Sequence, residues 1–442
     1  MPERGGRASS PSPVTHGKGD RGHSAGAAFN NGFGEGTSML SRRLGLCALV
    51  VAAFGHVGSA QAQLSGDAVK IGVLTDQSAI YSDIAGKGSY VAAKLAVQDF
   101  GATVLGRPVE ITLVDHQSKV DIGSSLARKM YDVDGVDAIV DISHSAVSLA
   151  VQEIARNAQK IVLHVGSAHA GLYGAACSPT GALWLYDTYT LANGLSRALV
   201  KEGGDSWFFV TADYAFGQSM QAEMTKVLGS LGATVKGSVR HPVNAGDFSS
   251  YLLQAQASGA KVVGLANVAA DTANAIKQAG EFGLTQGGQR MAALIFYLQT
   301  AKAIGPQLGQ GLQFLTGFYW DRTDDSRAFA KRFAAEMNGA MPSQIQAGVY
   351  SATLHYLRSV AAAGTDASDA VMRSMKAAPV NDFFAEGATL RDDGRLMKDL
   401  FLAEIKKPSE VKGSWDLLKI IRRLPAAEII RPRDQGDCKM NG

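Results

Sequence analysis

VKIGVLTDQSAIYSDIAGKGSYVAAKLAVQDF, residues 69–100, carries the pattern that decides the fold. Its first six residues are rich in β-branched side chains, which is typical of a buried strand. Residues 84–100 place apolar side chains three and four positions apart, which predicts an amphipathic helix. A second strand, VEITLV, follows at 109–114. This order predicts a parallel strand pair joined by a right-handed crossover.

The same alternation continues along the chain in two successive series. The further predicted strands cover 137–142, 160–165, 206–211, 233–239, 261–266, 290–296, 312–318 and 399–405. The further predicted helices cover 121–134 with Asp121 as its cap, a segment from about Ala146, 189–202, a segment from about Phe216, 248–257, 271–282, 326–338 and 344–362. We therefore expect an α/β protein of two doubly wound parallel-sheet lobes, with the chain passing between them more than once.

The segment before this pattern has the features of a secretion signal. Two arginines at 42–43 precede an apolar run at 44–57, and AQA at 60–62 is a small-residue cleavage motif. The run is too short to span a bilayer comfortably. We expect residues 39–62 to be a signal peptide that exports the protein from the cytoplasm. Residues 1–38 are rich in Gly, Ser and Pro, and we expect them to be disordered or to result from a start assigned too early.

The excess of basic residues lies in this leading segment. The whole chain has 43 Lys and Arg against 40 Asp and Glu, and residues 1–62 hold six and three of them, which leaves 37 of each. A formally neutral mature protein gives no reason to expect nucleic-acid binding or a basic membrane-binding surface. The 380 residues from 63 to 442 favour two domains over one.

Two cysteines, Cys177 and Cys438, remain once the signal that contains Cys47 is removed. In an oxidising compartment two such residues are more often paired than free, so we expect one disulfide. Neither has a CxxC partner or a nearby His/Cys cluster, so the sequence predicts no metal site and no cofactor.

Ligands of open parallel sheets bind beyond the carboxyl ends of the strands, so the candidate residues are those that follow each predicted strand. Small and hydroxylic residues that lead into a helix offer free N–H groups to a carboxylate, and aromatic rings in these segments suit a pocket wall. The candidate ligand-binding residues are Tyr81, Ser145, Ser167, Ala168, His169, Tyr214, Phe216, Asn267, Asp271 and Tyr297. The alternative is that Ser145 and Asp271 only cap their helices and that the rings belong to the core.

Enzyme classes find little support. The sequence has no G-x-S-x-G, no HExxH and no G-x-x-x-x-G-K-[ST] phosphate loop. His144 and His169 lie near serines, but a catalytic triad needs a base oriented by a buried acid, and no local pattern supplies one. We interpret the protein as a ligand carrier and not as an enzyme.

In their order and spacing these segments resemble the periplasmic solute-binding proteins of ABC importers, and in particular the leucine/isoleucine/valine-binding, type I periplasmic binding family. The resemblance covers residues 67–442. The segments that carry it are VKIGVLTD with the following Tyr81, GRPVEITLVD at 106–115, ADYAFG at 212–217, DFSSYLLQAQASGAKVVGLA at 247–266 and QAGVYSA at 346–352.

The resemblance implies two lobes joined by a three-strand hinge that close on a small solute and deliver it to an inner-membrane permease. The implied boundaries are 67–188 and 319–391 for lobe one, 189–318 and 392–420 for lobe two, and 421–442 for a C-terminal extension, tied down by Cys177 and Cys438. A monomer is expected. The alternative role is a ligand-sensing domain that feeds a signalling receptor, because the same fold serves both.

The resemblance also assigns roles within the site, with two departures. Ser145 and residues 167–169 are implied to hold a ligand carboxylate, and Tyr81 and Phe216 to form an aromatic wall. His169 stands where the family usually has threonine. No carboxylate follows the strand that ends near residue 296, where the family usually meets the ligand ammonium, although Asp271 is a possible substitute. An amino acid, a neutral amide and a small or aromatic acid therefore all remain candidate ligands.

Overall fold

The structure, a computed structural model, describes residues 64–440. These residues belong to one compact unit. The predicted signal peptide at 39–62 and the predicted disordered segment at 1–38 lie outside the described residues.

The described part of the chain alternates strands and helices from its beginning. The strands are β1 (Val69–Thr75), β2 (Thr103–Val104), β3 (Arg107–Asp115), β4 (Ala138–Asp141), β5 (Ile161–His164), β6 (Gly181–Leu183), β7 (Ser206–Ala212), β8 (Thr234–His241), β9 (Val262–Ala266), β10 (Arg290–Ala293), β11 (Gln313–Thr316), β12 (Val380–Asn381), β13 (Glu386–Leu390), β14 (Leu396–Met397), β15 (Leu400–Ile405) and β16 (Leu418–Leu424). The helices are α1 (Gly86–Phe100), α2 (Val120–Asp132), α3 (Ser145–Asn157), α4 (Thr188–Lys201), α5 (Ala215–Ser230), α6 (Ser249–Ala257), α7 (Ala269–Glu281), α8 (Leu298–Gly309), α9 (Asp324–Glu336), α10 (Gln344–Ala363), α11 (Ser368–Ala377) and α12 (Ala426–Ile429).

Lobe one is built on a six-stranded sheet in the order β2-β3-β1-β4-β5-β6. Every pairing is parallel except that of β2 with β3. The strands β1, β4 and β5 are almost entirely buried, which is why they are apolar throughout instead of alternating. Helices α1 and α10 pack on each other beside this sheet, and α2 packs on α3. A small antiparallel sheet, β12-β13-β14, completes the lobe.

Lobe two is built on a parallel sheet in the order β10-β9-β7-β8 and an antiparallel sheet in the order β11-β15-β16. Helices α4 and α5 pack on each other, and so do α7 and α8. The two lobes are therefore both α/β layers, as the repeated strand–helix pattern predicts.

The chain crosses between the lobes three times, after β6, after β11 and after β14. A buried ion pair joins the first crossing to the residue just before β14: Arg395 Nε donates to Asp187 Oδ2 at 2.9 Å, and neither side chain is exposed. Lys398 Nζ donates to the Gly317 carbonyl at 2.7 Å and joins the third crossing to the second. The crossings thus form one polar, buried hinge.

The structure corrects several sequence expectations. Asp121 does not cap α2, because the cap position is Lys119 and Asp121 lies in the first turn. The strand predicted at 290–296 ends at residue 293, where the chain turns toward α8. The pattern missed the helices α8, α11 and α12 and the strands β2, β6, β12, β13, β14 and β16. These elements are short, kinked or exposed on one face, so their sequence periodicity is weak.

Candidate functional site

A small cavity of about 10 Å³ lies between the lobes, at the carboxyl ends of the central strands of both sheets. That volume holds about one water molecule. A larger solute therefore needs the surrounding rings to move apart. The cavity is lined by Tyr81, Ser143, Ser145, Gly166, Ala168, Phe216, Val268, Ile295 and Tyr297. Five of the ten residues predicted from sequence are among them.

The lobe-one side is formed by a strained turn between β4 and α3. Asp141 and Ile142 have φ values of 85° and 55°, which non-glycine residues seldom adopt. The turn brings Ser143 to the cavity and starts α3 at Ser145, which does not cap the helix. The first bond within the helix is from Ser148 N–H to the carbonyl of its cap residue, His144. The earlier N–H groups have no partner within the helix and suit an anion.

The segment after β5 packs tightly against this turn. A side chain at Gly166 would place its Cβ 2.7 Å from Ser143 Cα, so only glycine fits there. Ser167 Oγ donates to Ser145 Oγ at 3.3 Å, and Ala168 lines the cavity. His169 instead turns back on its own backbone, where Nδ1 accepts the Gly171 N–H at 3.0 Å. It does not line the cavity.

The lobe-two side is formed by the first turn of α5 and the ends of β9 and β10. Phe216 is buried, and the following Gly217 lets α5 lie against the strand ends, since a Cβ there would lie 2.1 Å from the Ala212 carbonyl oxygen. Val268 and Ile295 add apolar surface beside the ring of Tyr297. This side is therefore largely apolar and aromatic.

Two tyrosine pairs join elements across the cleft. The hydroxyl of Tyr81, from lobe one, is hydrogen-bonded to that of Tyr214, from lobe two. The hydroxyl of Tyr186, on the first crossing, lies 2.6 Å from that of Tyr297. His144 packs against the Tyr214 ring with the centroids 4.8 Å apart. Opening the lobes must break the first of these pairs.

The histidines of the cleft are uncharged at neutral pH. Burial lowers the pKa of His144 to about 4, and the neighbouring His116 lowers it further than Asp76 raises it back. Burial likewise lowers the pKa of His116 to about 4. No basic side chain lines the cavity in the described structure, and within residues 64–440 no cluster of His, Cys, Asp and Glu has the makings of a metal site.

Asp271 is the acidic group on the lobe-two side. Its Oδ2 accepts the Asn244 N–H at 3.0 Å, whereas its buried Oδ1 has no hydrogen-bond partner. Burial raises the pKa of Asp271 to about 6. Its charge adds a small contribution to the raised pKa of both Tyr81 and Tyr214. Asp271 is not among the residues that line the cavity. Asp271 is not the cap of α7, which is Val268.

Asn267 has its amide engaged within lobe two. Its Oδ1 accepts the Thr272 hydroxyl at 2.8 Å, and its Nδ2 lies 3.3 Å from His241 Nε2. It does not line the cavity. Sequence reasoning missed Tyr186 and His116. Tyr186 follows β6, a strand that the pattern does not predict, and His116 follows the predicted strand at 109–114 but is not one of the candidate residues. Their roles depend on contacts with Tyr297 and with Ser143, which no local pattern indicates.

A roomier cavity of about 440 Å³ lies elsewhere on lobe two, lined by residues near the amino ends of β9 and β10, among them Arg290 and Gln289. Lobe two alone forms it, so a ligand there has no means of joining the lobes. The inter-lobe cavity is the better candidate, because it lies where doubly wound sheets bind ligands and both lobes contribute to it.

Two α/β lobes that meet through a hinge and enclose a small polar and aromatic site define a protein that captures a small molecule between its lobes. The profile of the periplasmic binding protein family matches residues 68–410, which is most of the chain, so the chain belongs to this family. Among curated proteins none matches. No helix between residues 64 and 440 has the length and apolar character that a membrane crossing requires.

Solved structures agree with this assignment. A periplasmic binding protein from Burkholderia mallei is 42% identical, with a TM-score of 0.83, over 84% of this chain and 99% of that one. A branched chain amino acid ABC transporter periplasmic ligand-binding protein from Burkholderia xenovorans is 38% identical, with a TM-score of 0.76, over 84% and 99%. An ABC transporter solute-binding protein from R. palustris, in complex with benzoate, is 20% identical with a TM-score of 0.73 over 84% and 100%, and shares the fold.

The protein is therefore a solute-binding protein of an ABC importer, as the sequence predicted. The predicted disulfide between Cys177 and Cys438 is present in the structure.

Proposed function

We propose that the cleft binds an α-amino acid with an apolar side chain. The observation that carries this proposal is the buried, unpartnered Oδ1 of Asp271, in the first turn of α7, the helix that begins after the cavity-lining Val268, together with the free N-terminus of α3 on the lobe-one side of the cavity. An anion acceptor on one lobe and a cation acceptor on the other match the two charges of a zwitterion.

The carboxylate would be held without a basic side chain. The N-terminus of α3 presents free N–H groups and a partial positive charge. The hydroxyls of Ser143 and Ser145 lie beside it, and Ser145 also accepts the hydroxyl of Ser167. A carboxylate bound here would exchange its hydrogen bonds to water for hydrogen bonds to these N–H and hydroxyl donors, whose positions the fold already fixes.

The ammonium would face Asp271 and the tyrosine hydroxyls. The attraction of a cationic partner offsets the desolvation penalty that raises the pKa of a buried carboxyl, so ligand binding favours the ionised form of Asp271. Opening of the cleft frees the hydroxyls of Tyr81 and Tyr214 from each other, and both become available to a ligand N–H. The apolar side chain would then pack among Phe216, Val268 and Ile295.

Binding would close the lobes by a population shift. A ligand that contacts both lobes only in the closed arrangement binds that arrangement more tightly and raises its population. The 38% identity with a branched chain amino acid ABC transporter ligand-binding protein supports the same ligand class. We also propose that the protein acts as a monomer, is exported by residues 39–62 and hands its ligand to an inner-membrane permease.

A thermal-shift panel tests the ligand class. L-leucine and L-phenylalanine are compared with 4-methylpentanoate, which lacks the amine of leucine, with L-leucinamide, which lacks the carboxylate, and with benzoate. A ligand at a hundredfold excess over its Kd stabilises the protein by about 2.7 kcal/mol. We expect the amino acids to raise the melting temperature, and each truncated analogue to bind at least about tenfold more weakly, since it leaves a buried polar group unpaired. Equal or tighter binding of 4-methylpentanoate or benzoate would overturn the proposal.

A further inference from the structure

The C-terminal residues 425–438, here named the strap, leave lobe two and end covalently on lobe one. They follow β16, which belongs to the antiparallel sheet of lobe two. Cys438 is bonded to Cys177, which lies shortly before β6 of lobe one and 261 positions earlier in the chain. The strap is therefore a fourth connection between the lobes, in addition to the three crossings of the hinge.

The first half of the strap is fixed to lobe two. Asn193 Nδ2, on α4, donates to the carbonyls of Glu428 and Ile429 at 3.1 and 3.3 Å. Arg431 forms a mostly buried ion pair with Glu223 on α5, and its guanidinium lies 4.6 Å from the Tyr189 ring centre. These contacts hold the strap against α4 and α5 as far as Arg431.

The second half is fixed to lobe one and to the turn before β14. Arg433 Nε donates to Asp392 Oδ1 at 3.0 Å, and Arg391 Nη1 donates to the Arg431 carbonyl at 2.9 Å. The chain then reaches the disulfide. Arg156, on α3, fixes that end by donating to the Cys177 carbonyl at 2.8 Å.

Only six residues separate the last lobe-two anchor, Arg431, from Cys438. Even fully extended, the seven steps from Arg431 to Cys438 span at most roughly 25 Å. The segment now contains a turn of 3-10 helix at Arg433–Gln435, so it has slack for a limited opening. A wider opening has to break the buried Arg431–Glu223 pair.

We propose that the strap limits how far the lobes separate and so raises the population of the closed arrangement. A ligand that binds the closed arrangement gains apparent affinity in proportion to that population. The effect on affinity rests on the proposed amino-acid ligand, whereas the effect on lobe separation does not.

Two variants of the purified protein test the strap. Cys177→Ser combined with Cys438→Ser removes the covalent link. Insertion of Gly-Ser-Gly-Ser after Gly436 keeps the disulfide and lengthens the strap. Small-angle scattering without added ligand should give a larger radius of gyration for both variants than for the wild type. In calorimetry, both variants should bind L-leucine about fivefold or more weakly than the wild type does. A fivefold change is about the low end of the range for a conformational effect of one part of a protein on binding at another.

Three results would separate a strap that limits lobe separation from a disulfide that only stabilises the fold. If the serine variant melts at a lower temperature but keeps the wild-type radius and L-leucine affinity, the disulfide is only a stabilising crosslink and the proposal is wrong. If the lengthened strap keeps the wild-type radius, strap length does not limit opening, and the proposal is wrong as well. If L-leucine fails to bind the wild type, the proposed ligand is wrong, but the radius comparison still decides the role of the strap.

Discussion

The buried ion pair of the hinge gives the sharpest stability prediction. Replacing Arg395 by methionine removes the donor at 2.9 Å from Asp187 and leaves that carboxylate in a site with no solvent exposure. Asp187 keeps the Tyr173 hydroxyl at 3.0 Å and the Thr190 N–H at 2.9 Å, which offset part of the lost interaction. The Leu396 carbonyl, which accepts from Arg395 at 2.8 Å, loses its donor as well.

Breaking one partner of a buried ion pair costs about 3–5 kcal/mol, because the other charge stays buried without compensation. We expect Arg395→Met to lower the free energy of unfolding by about this amount, measured by urea denaturation. Arg395→Met with Asp187→Leu should recover much of the loss, since it removes both charges. Arg373→Met, which breaks the exposed Arg373–Asp369 pair, is the matched control and should leave stability unchanged. A loss below about 1 kcal/mol in Arg395→Met, within the usual range for exposed pairs, would refute the reasoning.

The cleft residues give three more expected outcomes. Burial raises the pKa of Asp141 from 3.8 to about 6, so the folded state binds its proton more tightly than the unfolded state. The ionisation of Asp141 should therefore remove about 3 kcal/mol of stability as the pH rises from about 4 to above 6, whereas the buried His116 and His144, whose pKa values are lowered to about 4, contribute with the opposite sign over this range. In urea titrations at several pH values, the free energy of unfolding of Asp141→Asn should gain about 3 kcal/mol relative to that of the wild type across this range. A difference between the two proteins that does not change with pH would contradict the prediction. Ser145→Ala should weaken L-leucine binding by about 1–3 kcal/mol in calorimetry, whereas unchanged affinity would leave Ser145 a purely structural role. L-leucine affinity should rise with pH through about 6, as Asp271 ionises, and Asp271→Asn should flatten that profile; identical profiles in both proteins would exclude the ammonium contact.

Much of the fold could be predicted because the strongest sequence patterns coincide with burial. β1 is almost wholly buried and is rich in β-branched residues, so its apolar run is visible in the sequence. β6 has three residues, Gly181–Leu183, and exists because it pairs with β5 on one side and contacts Arg395 on the other. Such a strand depends on partners far along the chain, and no local pattern indicates it.

The candidate site shows the same division. Tyr81, Ser145, Phe216 and Tyr297 could be placed at the cleft because each follows a strand whose carboxyl end meets that edge. His169 also follows such a strand, but its ring accepts a hydrogen bond from the Gly171 N–H and does not face the cavity. The direction of its side chain cannot be predicted from the sequence pattern. The unpartnered oxygen of Asp271 is visible only once the packing around α7 is known.

The position of Cys438 has a consequence for the order of events during biogenesis. Cys177 is made 261 residues before its partner, which takes roughly 13–50 s at the usual rate of synthesis. Disulfides form in seconds to hours, so Cys177 has time to meet other thiols before Cys438 arrives. No other cysteine exists among residues 64–440, so once the predicted signal peptide with Cys47 is removed, a premature reaction can join only different molecules. The sparse cysteine content of the folded protein therefore keeps its intramolecular oxidation unambiguous, and the closing of the bond becomes one of the last steps of its maturation.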